Sequence, residues 1–134
     1  MGALLTEWEV EDMIRDVVQE IAENKVAKFY PTFVAKATHL PLNTVYGYLL
    51  QMVKTGRLIL KWEIRCENCY RNIDSVPEFD EYLDQEISCK WCGHDTFITG
   101  EHIFPVFAIS EKYKEKARQG KENIKKKKSL LQLT

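Results

Sequence analysis

The chain has 134 residues, 45% of them hydrophobic and 29% charged, with a formal net charge of −1. That balance excludes a disordered polyelectrolyte and suits one globular domain or two small ones sharing a core. No apolar run approaches the roughly 18–20 residues that span a bilayer, and the opening MGALLTEWEVED lacks the basic start of a signal peptide, so the expectation is a cytoplasmic protein with reduced thiols and no membrane partner.

The near-zero net charge conceals segregated blocks. Residues 1–24 carry a net −6, residues 25–65 a net +6, residues 66–110 a net −7 and residues 111–134 a net +6. A basic block therefore lies between two acidic ones.

The first predicted element is a helix over residues 7–24. Thr6 and Glu9 have capping-box spacing, and Val10, Ile14, Val17 and Ile21 recur along one helical face. Pro31 and Thr32 open a second, short helix to about Thr38, which His39-Leu40-Pro41 breaks. A third helix runs from Pro41–Asn43 to about Thr55, with Val45, Leu49 and Met52 inward and Gly56 as a left-handed stop. From Arg57 the period changes to two. Leu58, Leu60, Trp62 and Ile64 alternate with Ile59, Lys61, Glu63 and Arg65, which is a strand. A further strand over 102–109 contains Pro105, so an edge position or a bulge is expected there. Pairing of these two strands would hold the intervening segment out as an extension. From Glu111 a charged helix leads into a basic tail containing Lys125 to Lys128.

Between the strands lie CENC and CKWC, separated by nineteen residues. Two residues between thiols let a tight turn aim both sulfurs at one ion, and two such turns complete a tetrahedron. Cys66, Cys69, Cys89 and Cys92 are therefore expected to bind one structural Zn2+, another metal or disulfides being the competing readings. Cys92 is preferred to His94 as the fourth ligand because it preserves the spacing of both pairs. No nucleophile-and-base set or phosphate loop stands out, so an enzyme is not expected. The segment is acidic through Glu78, Asp80, Glu81, Asp84 and Glu86. Four thiolates on zinc add to that charge, so this part is expected to face a protein partner rather than phosphates.

The stretch FVAKATHLPLNTVYGYLLQMVKTGRLIL, two helices across a short turn and then an alternating strand, resembles the winged helix-turn-helix superfamily. The resemblance implies that the helix over 42–55 enters the major groove of double-stranded DNA. The candidate DNA-binding residues are Lys36, Lys54, Arg57 and Lys61 for phosphates, with Asn43, Thr44, Tyr46 and Tyr48 for base edges or sugars. Tyr46 and Tyr48 read equally well as half-buried packing residues. With the four-cysteine ribbon appended, the architecture resembles archaeal transcription factor E, although Tyr70 stands where a glycine is expected after Cys69.

The reading is an α+β protein: a winged helix over 1–65, a zinc ribbon over 66–100, a strand over 101–110 and a charged helix and tail over 111–134. Its expected function is DNA-binding transcription regulation. The alternatives are an interaction subunit that binds no DNA and an RNA-binding accessory factor. A homodimer through helix 7–24 or the tail has no heptad pattern to support it.

Overall fold

The computed structural model describes residues 4–24 and 26–120. Lys25 of the basic block and the basic tail beyond residue 120 lie outside the described residues. The fold is mixed α+β, with the element order α1 (Glu7–Glu23), β1 (Lys28–Phe29), α2 (Pro31–Thr38), α3 (Leu42–Lys54), β2 (Leu58–Arg65), β3 (Asn72–Val76), β4 (Glu86–Ser88), β5 (Asp95–Phe97), a 3-10 turn Gly100–His102 and β6 (Ile103–Ile109). Residues 111–120 are again helical. No helix among the described residues is long and apolar enough to cross a membrane.

Helix ends follow local chemistry. The Thr6 hydroxyl accepts the Glu9 N–H at 3.3 Å while the Glu9 carboxylate accepts the Thr6 N–H at 3.2 Å, closing the capping box of α1. This pull lowers the Glu9 pKa, chiefly through the Thr6 side chain. Pro41 begins α3 without a side-chain cap. At its other end the Gly56 N–H donates to Val53 O at 3.1 Å and the Arg57 N–H to Met52 O at 3.0 Å. That pair of bonds is a Schellman stop, and it requires the positive φ of 85° that Gly56 adopts.

The chain divides into two compact units, Met1–Ile59 with Ala108–Thr134, and Leu60–Phe107. In the first, α1, α2 and α3 pack on one another. Their buried stripe consists of Ile14, Val18, Ile21 and Ala22 of α1, Val34 of α2, and Val45, Leu49 and Met52 of α3. The α1 stripe is rotated by about one residue from the expected face, with Val18 buried and Val17 half-buried. Thr38 is buried at the end of α2, and its hydroxyl donates to the Val34 carbonyl at 2.8 Å. His39 then turns the chain with a φ of 59°, so the break between α2 and α3 is a left-handed cap.

The larger sheet has the strand order β1-β6-β2-β3, and β4 and β5 form a separate two-stranded sheet. Thus β6 lies beside β2. It is not an edge strand, as Pro105 suggested. Its second neighbour, β1, is only two residues long, and the Ala27 carbonyl takes the N–H of Ile109 at the far end of β6. Four residues, about 13 Å of strand, separate that bond from Pro105, so the missing N–H breaks no ladder with β1. In β2 the alternation fails at Glu63, which is 1% exposed, where an outward side chain was expected. Arg65 accounts for it. Its guanidinium meets the Glu63 carboxylate at 2.9 Å and lies 4.9 Å from the Phe104 ring centroid.

The second unit has its own small core. Ile64, Ile73, Ile98, Val106, Phe107 and Thr96 are buried, together with two of the four cysteines. Trp62 closes one side edge-on to Phe79, with centroids 4.8 Å apart.

Candidate metal centre and the predicted nucleic-acid surface

Each cysteine pair sits at the tip of an antiparallel hairpin. The β2–β3 ladder, with Arg65 opposite Asn72, carries Cys66 and Cys69. The β4–β5 ladder, with Ser88 opposite Asp95, carries Cys89 and Cys92.

The two tips are built alike. The first cysteine of each donates its N–H to the carbonyl five residues on, Cys66 to Arg71 at 3.1 Å and Cys89 to His94 at 2.9 Å. Its own carbonyl accepts the N–H four residues on, from Tyr70 at 3.0 Å and from Gly93 at 2.9 Å. Its sulfur accepts the N–H two residues on, from Asn68 and from Trp91, both at 3.4 Å.

This repeat explains the departure seen in the sequence. Gly93 has a φ of 77°, and Tyr70, at the matching place, has a φ of 60°. A left-handed conformation costs an L-residue about 1–2 kcal/mol. Tyr70→Gly is therefore expected to stabilise the metal-loaded protein by about 0.5–1 kcal/mol after allowing for the greater freedom of glycine when unfolded. Thermal unfolding tests this, and a lowered midpoint would show that the Tyr70 side chain contributes more than its backbone costs.

All four cysteines are free thiols. Cys66 and Cys92 sulfurs are 3.6 Å apart, as are those of Cys69 and Cys89, far beyond the roughly 2.05 Å of a disulfide. All four Sγ atoms lie within 4.8 Å of one another. A tetrahedron with metal–sulfur bonds of about 2.3 Å has edges of about 3.8 Å, so the four thiols could hold a metal ion such as zinc.

The four thiols affect one another's ionisation. The Cys69 N–H and then that of Asn68 draw the Cys66 thiol down to about 6. Cys69 is pushed up to about 11 despite the N–H of Arg71, because burial and the neighbouring sulfurs oppose a second charge. Burial of Cys89 is outweighed by the N–H groups of Cys92 and Trp91, which lower it. A cation held among them would let all four ionise together.

His94 is not part of the sulfur cluster. Its Nε2 lies 2.8 Å from Glu67 Oε1, and that bond raises its pKa. His102 accepts the Thr99 N–H at Nδ1, 3.0 Å away, leaving Nε2 3.7 Å from the same carboxylate. Thr96 was not anticipated as a supporting residue. It is fully buried, accepts the Glu67 N–H at 3.3 Å and points its hydroxyl at Cys66 Sγ, 3.9 Å away. A threonine four residues past a cysteine carries no sequence signal. Only the β4–β5 register, which sets Thr96 opposite Ile87, places it there.

The expected DNA-binding residues separate into groups. Lys36, Asn43 and Lys54 are exposed in the helical unit, and Thr44 and Tyr46 are half-buried. Burial raises the Tyr46 hydroxyl pKa. Tyr48 and Arg57 turn toward α1. The Tyr48 hydroxyl donates to the Glu7 carbonyl at 3.4 Å, and both side chains line a hollow of about 90 Å³ shared with Glu11 and Arg15. Arg57 also donates to the Thr55 hydroxyl at 3.4 Å. Lys61, exposed on β2, falls in the second unit. Glu78, Asp80, Glu81, Asp84 and Glu86 are all exposed there as well.

No known protein family, curated protein or solved structure matches the chain.

Proposed function

We propose that this chain is a DNA-binding transcription regulator. On this reading, residues up to 65 act as a winged helix-turn-helix, with α3 as the helix addressed to the major groove. Cys66, Cys69, Cys89 and Cys92 hold one structural zinc ion, and the acidic ribbon around them contacts a protein partner. Four thiolates fill a tetrahedral ion and leave no position for water or substrate, which favours a structural over a catalytic metal.

The observation that carries the DNA reading is the placement of charge on the helical unit. Lys36 at the end of α2 and Lys54 at the end of α3 are exposed. Exposed Asn43 lies in the first turn of the same α3, and Asn43, Gly47, half-buried Leu50 and Lys54 recur on it at spacings of four, three and four. A helix with an amide at its start and cations at the ends of two packed helices is suited to a groove flanked by phosphates.

Binding of zinc-loaded protein to random-sequence duplex DNA at several salt concentrations tests this reading. Lys36→Ala with Lys54→Ala is expected to reduce the slope of log K against log salt by about 1.8, at about 0.9 for each phosphate that is no longer neutralised. Circular dichroism should not change. An absence of duplex binding even at low salt would overturn the reading. A subunit that binds no DNA is then favoured by Phe33 on α2 and Leu42 on α3, which are 55% and 47% exposed and suit a protein interface.

A further inference from the structure

Residues 66–110 contain only two basic residues, Arg71 and Lys90, against nine acidic ones. They come from different hairpin tips, yet both lie over one ring. The Arg71 Cζ and the Lys90 Nζ are each 5.5 Å from the Trp91 ring centroid, within cation–π range. Trp91 is itself 57% exposed. Its indole N–H donates to the Asn72 carbonyl at 3.1 Å, so the ring is tethered across the two tips. Tyr70, beside Arg71, is 73% exposed. It keeps a left-handed backbone that glycine would adopt without strain. An exposed tryptophan with a satisfied N–H and a strained, exposed tyrosine do little for a core. Strain of this kind, where it persists, points to a use for the side chain.

We propose that Trp91, with Arg71, Lys90 and Tyr70, is a stacking site for single-stranded nucleic acid. The chemistry of the site selects the ligand. A π face flanked by two cations repels cationic guests and suits a flat ring carrying an attached anion, which is a nucleobase with its phosphodiester. The indole N–H is already used, so no donor remains on the ring to read a base edge. Recognition is therefore by stacking and charge, tolerant of sequence. Arg71 and Lys90 are exposed, long side chains, so an arriving base displaces a cation from the ring and meets it again at the phosphate. The acidic surroundings confine the contacts to one or two nucleotides, and the rest of a longer strand stays in solvent.

The test measures binding of fluorescein-labelled twelve-residue oligo-dT and oligo-U to the full zinc-loaded chain. Neutralising two phosphates gives a salt slope of about −1.4, at about −0.7 per phosphate for single strands. Trp91→Ala is expected to weaken binding roughly 5- to 150-fold, the loss of one stacked base. Trp91→Phe should retain most of the affinity while losing the ligand-induced quench of intrinsic fluorescence. Unchanged metal content in both variants separates loss of stacking from loss of fold. Duplex binding through Lys36 and Lys54 should be unaffected by Trp91→Ala, so this site and the proposed helical DNA surface fail independently. Wild-type affinity in Trp91→Ala, or equal affinity for an abasic strand of the same length, would overturn the proposal. Displacement of the oligonucleotide by a Glu-Tyr copolymer at matched charge would overturn it in favour of an acidic-peptide site.

Discussion

Stripping the metal from zinc-loaded protein with a chelator is expected to unfold residues 60–107 and leave α1, α2 and α3 helical. The reason lies in the composition of the second unit. Cys66, Cys89 and Ile73 form one buried cluster, with Cys69 and Ile87 packed against it. Three of those five side chains are therefore ligands to the proposed ion. Cys66 follows the eight-residue β2, but β3, β4 and β5 are only five, three and three residues long, too short to be stable without a shared core. Structural zinc contributes about 10–16 kcal/mol of apparent binding free energy in small thiolate sites, and around the cysteines only Ile73 and Ile87 would remain to pack, apart from the core of Ile64, Ile98, Val106 and Phe107. Cys66→Ser should act in the same direction by removing a buried ligand. Limited proteolysis locates the effect, with new cleavage expected between residues 60 and 107 while far-UV dichroism keeps its helical signature. Cobalt substitution gives a second readout, since four thiolates yield the intense absorption of a tetrahedral site. Protease resistance that survives complete chelation would remove the metal from any structural role.

The second large effect belongs to the helical unit. Leu49→Ala is expected to lower its stability by about 3 kcal/mol, within the range for a buried leucine whose site cannot collapse. Leu49 is fully buried on α3, between Val45 and Met52 on the same stripe, and α3 packs against both α1 and α2. With three helices meeting at one stripe, no single backbone shift can fill the cavity. Urea unfolding followed at a helical wavelength measures the change. A loss below about 1 kcal/mol would mean that the site is loosely packed or that the helices relax together.

What could be read from the residues alone was what short-range chemistry decides. Thr6 with Glu9, Pro31 and Gly56 marked helix ends because caps and stops act within one turn. The α3 stripe of Val45, Leu49 and Met52 was legible because its apolar residues leave one choice of face. In α1, Val10, Met13, Ile14, Val17, Val18, Ile21 and Ala22 offer two adjacent stripes. Only packing against α2 and α3 selects Ile14, Val18 and Ile21. Glu63 was misplaced for a similar reason, since its burial depends on Arg65 and nothing in a period of two announces an ion pair. The cysteine spacing revealed the sulfur cluster, because two thiols on one tight turn are a local arrangement. Thr96 and the ring of Trp91 were not legible as parts of the site. Thr96 reaches it by accepting the Glu67 N–H and Trp91 by its bond to the Asn72 carbonyl, both of which join segments distant in sequence.

The chain leaves the helical unit at Ile59 and re-enters it at Ala108. Just before the exit and just after the return, the Ser110 N–H donates to the Arg57 carbonyl at 3.0 Å. That bond ties the neck of a loop of roughly fifty residues. While the loop is internally folded it is closed in advance, and the neck costs little more than a short hairpin turn. Once the metal is lost, the same bond must close a slack chain, at a cost greater by about 2.5 kcal/mol than for a loop of roughly three residues. An ion held by the four cysteines would thus act on the melting of the helices through chain entropy, and metal-free protein is expected to lose them at a lower temperature.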